Sequence, residues 1–237
     1  MWGWRSVAFA GGVLIATLIA DGAEAAARQQ AAPRGSGHGQ VYLMRGFLGP
    51  VLTTGLDALA AKLQKRSVPA PVHSHGSYDA LADEAIAKYR AGNRGPIIII
   101  GHSLGAISAI DMAKKLQQNR IPVSLIVTFG PIGDLAAPAN VASVVNYYQS
   151  KSYSNGRVLR GPGFHGSIAN VDLEKSAGMN HLNMTHSANL HAQTISRVLS
   201  LVGARHAPAA PTASSPAATS DAAATATPAQ SVAHSKD

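Results

Sequence analysis

The chain has 237 residues, with 20 Lys and Arg against 12 Asp and Glu, a formal net charge of +8 and no cysteine. The missing thiol excludes a cysteine nucleophile, thiolate metal ligation and disulfide cross-links, and leaves stability to a packed core that a chain of this size can bury. The cations suit an anionic surface such as lipid head groups or cell-envelope polymers. They form no dense run and aromatics are 5% of the residues, which argues against a nucleic-acid partner.

Met1 to Arg5 carries one positive charge, Val7 to Ala20 is apolar, and Ala23-Glu24-Ala25 has the small-x-small form of a signal-peptidase site. The apolar run is short beside the ~20 residues of a membrane span. Residues 1–25 therefore read as a leader of an exported, periplasmic or secreted protein, with an uncleaved anchor as the competing reading. Residues 26–36 read as a linker, and 37–203 as one domain of common size. From Ala26 to Gly203 there are 17 Lys and Arg against 8 Asp and Glu, so this part is itself basic. Residues 204–237 are almost all Ala, Pro, Ser and Thr and are expected to be disordered, because they have too little apolar surface to offset ordering entropy.

Within the domain, Val41 to Met44 reads as a buried strand running into Arg45-Gly46-Phe47-Leu48-Gly49. A helix capped by Thr53 or Thr54 is predicted to about Arg66, with Leu56, Leu59, Ala60 and Leu63 on one face. Ala70 to His73 reads as a short strand, and Ser77 or Tyr78 opens a helix through Tyr89. Ile97 to Ile100 is a run of stiff β-branched residues that favours an extended chain covered on both faces, as in a parallel sheet. A helical pattern follows Ser103 through Leu116. Val123 to Phe129 and Ala142 to Tyr148 read as strands, Asn155 to Gly166 as loop, Ile168 to Leu173 as a last strand and Ala188 to Val202 as a final helix. Short apolar strands alternating with helices define an α/β fold, a mostly parallel sheet flanked by helices.

Between the isoleucine strand and its helix lies Gly101-His102-Ser103-Leu104-Gly105, a G-x-S-x-G sequence in strand–turn–helix context. Such a turn holds the serine in a strained conformation with strand and helix nearly touching, so that only small residues fit two before and two after it. Ser103 is then the candidate nucleophile, and it needs a base held in turn by an acid. After Ser103 the domain contains only Asp111, Asp134, Asp172 and Glu174. Asp111 is carried away along the helix. Asp134 follows Phe129 at the carboxyl end of a strand, where open α/β sheets build their sites, and is the favoured acid, with Asp172 as rival. His181 precedes the final helix and is the favoured base, with His186 as rival. His102 is expected to pack away from the nucleophile. His73 and His75, and the five-residue spacing of His181, His186 and His191, do not make a metal site, and no cofactor is expected. The N–H of Leu104, and that of Phe47 after the first strand, are the candidate donors to a developing oxyanion.

These segments resemble the α/β-hydrolase superfamily, and within it small bacterial lipase-, esterase- and thioesterase-like members without a large lid. The resemblance spans Val41 to Val202 and rests on Gly101–Gly105, Arg45–Gly49, Phe129-Gly130-Pro131 and Asn180-His181. It implies Ser103 as nucleophile, His181 as base, and hydrolysis of a small acyl ester or thioester by a chain expected to be monomeric. Two departures stand out. Arg45 replaces the usual histidine of the oxyanion loop, and the strand Ala142–Tyr148 ends in Asn146, Tyr147, Tyr148 and Gln149 where the family usually has its acid. Asp134 corresponds to members that carry the acid one strand earlier. An acyltransferase on the same scaffold and a non-catalytic binding protein are the alternatives.

Overall fold

The four isoleucines of β3 (Ile97–His102) set the architecture. Side chains alternate along a strand, so Ile97 and Ile99 enter one apolar layer and Ile98 and Ile100 the other. All four are buried to within 1%. In β1 (Gln40–Arg45), Tyr42 and Met44 share the layer of Ile97, whereas Val41 and Leu43 share that of Ile98. A strand greasy on both faces needs helices on both sides, and the chain provides them.

The computed structural model describes residues 37–47 and 54–203. The expected leader, linker and tail, and Thr53, lie outside the described residues, which all fall within one unit, Met1–His206. The remaining elements are α1 (Gly55–Gln64), β2 (Val72–Ser74), α2 (Tyr78–Arg90), α3 (Leu104–Gln118), β4 (Leu125–Phe129), β5 (Leu135–Ala137), β6 (Ser143–Tyr148), β7 (Val158–Arg160), β8 (Ser167–Asp172) and α4 (Ala188–Gly203). Six strands form one sheet in the order β2-β1-β3-β4-β6-β8, parallel throughout. Leu56, Leu59 and Leu63 of α1 and Leu190 and Val198 of α4 cover one face. Ala82, Ala85 and Ile86 of α2 and Ala109, Ile110 and Ala113 of α3 cover the other. No described helix is long and apolar enough to cross a membrane.

Two local readings change. The segment 155–166, expected as loop, contains β7, which pairs in parallel with β5 as a separate two-stranded sheet. Three-residue strands give almost no periodic signal, and this pair is held by side chains from elsewhere. Asn170 of β8 accepts from Val158 N and donates to Val158 O, both at 2.9 Å. Thr54 does stand at the start of α1, but its hydroxyl caps no backbone N–H and instead lies 3.3 Å from His186 Nε2. The helix start is fixed by packing, since a Cβ on Gly55 would overlap Thr185 O at 2.2 Å.

Candidate active site

Ser103 joins β3 to α3 with φ 56° and ψ −120°, a conformation that costs a non-glycine residue roughly 1–3 kcal/mol. Its N–H donates to Phe129 O at 2.9 Å, which ties the turn to the end of β4. The flanking glycines are there for contact. A Cβ on Gly101 would lie 2.1 Å from Gly105 O, and one on Gly105 would lie 2.1 Å from Met44 O. The first strand is thus pressed against the turn. Gly46 continues this contact, since a Cβ there would meet Ser103 Cβ at 2.8 Å and its Oγ at 3.4 Å. The Gly46–Phe47 turn therefore lies directly over the serine. On the other side, the N–H of Leu104 belongs to the first turn of α3, where backbone donors have no partner within the helix.

Arg45 does not weaken this loop. Its guanidinium pairs in two-pronged fashion with the Asp57 carboxylate in the first turn of α1. Arg45 thus braces the Gly46–Phe47 turn against a helix.

His181 is brought to the same end of the sheet. It is 6% exposed, and its ring lies 4.7 Å from the ring of His102, the residue before the serine. The ring of Tyr153 stands 4.8 Å away on the way out to solvent. Burial holds the imidazole of His181 below the ordinary histidine range. Among the described residues no hydrogen bond joins its ring to Ser103, and its Nδ1 is buried without a partner.

His102 does more than pack. Its Nε2 lies 2.9 Å from His181 O, and since a carbonyl only accepts, Nε2 carries the proton. Burial, followed by the neighbouring His181, pushes its pKa down to about 4, so it is a neutral donor that anchors the backbone of His181. Sequence reading missed this, because the partner is 79 residues away. Gln149, at the end of β6, adds a second anchor: its Nε2 donates to Met179 O at 2.9 Å. A neutral amide there holds the histidine loop where the family usually places its acid.

The structure does not bring the expected acid to the base. Asp134 is exposed, and its Oδ1 accepts from Arg157 N at 2.8 Å, which stitches β5 to the start of β7. Asp172 accepts from Ser150 N at 3.2 Å and Glu174 N at 2.9 Å, and the Ser150 hydroxyl first, then these backbone donors, hold its carboxyl below the usual range. Asp111 pairs with Lys114 along α3. Asn146 is buried and donates to Gly156 O and Asn170 Oδ1. The rival base His186 lies near Thr54, at the mouth of α1. His191 is buried in α4 as a strut, with Nε2 2.6 Å from Thr185 O and Nδ1 2.8 Å from Lys62 Nζ.

A six-stranded parallel sheet with a strained serine at the strand–helix turn and a glycine loop over it gives this chain an α/β-hydrolase-like fold. The family model that matches is the thioesterase domain, over residues 49–138, which takes in Ser103 and stops before His181. That match supports a hydrolase of ester or thioester bonds. Among solved structures, the chain is similar to Est1E from Butyrivibrio proteoclasticus at 11% identity, over 70% of this chain and 89% of that one, TM-score 0.44. It is similar to a hyperthermophilic esterase from the archaeon Pyrobaculum calidifontis at 12% identity, over 73% and 78%, TM-score 0.47. A third is the type II thioesterase BorB from the borrelidin biosynthetic cluster, at 12% identity over 68% and 93%, TM-score 0.42. No curated protein matches the sequence.

Proposed function

We propose that this protein is a serine hydrolase that cleaves an acyl ester or thioester through an acyl-enzyme. The observation that carries this reading is Ser103 held at φ 56° with the Gly46–Phe47 turn packed on its Cβ and Oγ. Strain of this kind is kept only where the surroundings enforce it, and here it presents a hydroxyl between the Gly46–Phe47 turn and the first turn of α3. In the reaction, His181 Nε2 takes the Ser103 Oγ proton as Oγ bonds to the acyl carbon. The N–H groups of Leu104 and Phe47 stabilise the resulting oxyanion. Collapse expels the alcohol or thiol, which leaves with the proton from His181. Water, deprotonated by the same imidazole, then releases the free acid and restores Ser103. Phe47, Ile132 and Leu182, exposed by 66%, 44% and 44%, flank the serine loop, the end of β4 and the base, and suit the apolar part of an acyl substrate. The apolar run from Val7 and the Ala23-Glu24-Ala25 sequence support export, which amino-terminal sequencing of the mature protein tests.

A fluorophosphonate probe is expected to label the native chain and not Ser103→Ala. On p-nitrophenyl esters of graded chain length and on acyl thioesters, Ser103→Ala is expected to lose on the order of 10⁴-fold in kcat/KM. Equal labelling of both proteins overturns the reading.

A further inference from the structure

Gly130 follows β4 directly and holds φ 54°. A Cβ at this position would stand 2.7 Å from His181 Nδ1 and 3.2 Å from its Cε1. The imidazole edge thus fills the space where a side chain at the end of β4 would begin. Nδ1 is buried and has no hydrogen-bond partner. A base that works through Nε2 carries its own proton on Nδ1, and here that N–H faces glycine. Among the described residues, the carboxylates after Ser103 are engaged elsewhere: Asp111 with Lys114, Asp134 with Arg157 N, Asp172 with Ser150 N and Glu174 N, and Glu174 with Lys151 N. Two aromatic rings lie against that of His181, those of His102 at 4.7 Å and Tyr153 at 4.8 Å between centroids.

We propose that His181 works without a carboxylate partner, its ring held by His102 and Tyr153, with glycine at position 130 admitting the imidazole edge to the end of β4. The proposal rests on the reading of Ser103 and His181 as nucleophile and base. His102 and Tyr153 are positioning residues: one fixes the backbone of His181 through its carbonyl, and the other closes the ring from solvent. The titratable groups around His181 are His102 from β3, Tyr153 from the loop after β6, and Lys151 and Glu174, which line the same cleft. The remaining neighbour at Gly130 is the thioether of Met184, which is apolar.

The test has a kinetic arm and one that needs no turnover. Tyr153 is 63% exposed, so its variants leave the fold intact. Tyr153→Ala is expected to lower kcat about tenfold with KM changed by less than about twofold, and Tyr153→Phe to stay within about twofold of native, since the ring and not the hydroxyl holds the base. Asp134→Asn and Asp172→Asn are expected to stay within about threefold, whereas removing an orienting acid costs on the order of 10⁴-fold. In the second arm, imidazole NMR follows the titration of His181 in the full chain, and Asp134→Asn, Asp172→Asn and Glu174→Gln are expected to leave its midpoint in place. A loss of order 10³-fold in either aspartate variant, or a midpoint lowered by about one unit in any of the three, identifies a carboxylate partner and overturns the proposal. Native kcat in Tyr153→Ala overturns the positioning role. Native activity in Ser103→Ala would overturn the hydrolase reading instead, and the NMR arm would still decide whether a carboxylate is coupled to His181.

Discussion

At the scale of single residues, the site is built from close approaches that leave no room for a methyl group. Gly105 is the tightest test, because its neighbours at 2.1 and 2.9 Å are the backbone carbonyls of Met44 and Arg45, which cannot rotate away. Gly105→Ala is expected to cost about 3 kcal/mol or more in urea unfolding and to lower kcat, because strand and helix must part at Ser103. His181 makes a prediction of the opposite kind, in pH. Burial lowers its pKa, so the neutral base persists below the ordinary histidine value of 6.5. The acid limb of kcat/KM is therefore expected to have its midpoint below 6.5, with activity falling as pH drops through it. A midpoint above that value would mean a stabilised imidazolium.

At the scale of elements, the Gly46–Phe47 turn is held by a helix rather than by its own sequence. Arg45 ends β1, Asp57 opens α1, and the arginine is 14% exposed beside a carboxylate that is 44% exposed. Such a half-exposed pair adds little to stability, roughly 1 kcal/mol or less. Its consequence is positional, because Gly46 and Phe47 follow Arg45 directly. Arg45→Ala and Asp57→Ala are each expected to lower kcat about tenfold, with the double variant no worse than either single one; additive losses would mean that the two act separately. The elements themselves were largely legible in the sequence: β1, β3, β4, β6, β8 and all four helices follow from local period and turn residues. The pair β5 and β7 was not. Its strands are held by Asn170, Asp134 and Arg157, which approach one another only after the larger sheet has formed.

At the scale of the whole molecule, buried histidines make the fold acid-sensitive. His102 has its pKa lowered to about 4, and His181 and His191 are also lowered, burial being the leading cause in each. An unfolded chain binds protons on these rings near 6.5 while the folded chain refuses them. Their contribution is complete above about pH 6.5 and is lost as pH falls towards 4. His102 alone accounts for on the order of 3 kcal/mol. Urea midpoints measured from pH 7 to pH 4 are expected to fall, and to fall less in His102→Asn relative to its own stability at pH 7. Flat midpoints would contradict the buried, neutral state of these rings.

Local sequence was sufficient for the α/β pattern, the parallel sheet and the serine turn, because strand period, helix period and the size of a glycine are properties of neighbouring residues. The partners of His181 were not readable in that way. Counting carboxylates after Ser103 pointed to Asp134, yet a residue's place in the loop after β4 does not say which way its side chain points. Folding turned Asp134 to Arg157 and laid His181 against Gly130, 51 residues away along the chain. The proposed nucleophile is a matter of local backbone geometry. The environment of His181 depends on where β4, β6 and the histidine loop converge, and that convergence exists only in three dimensions.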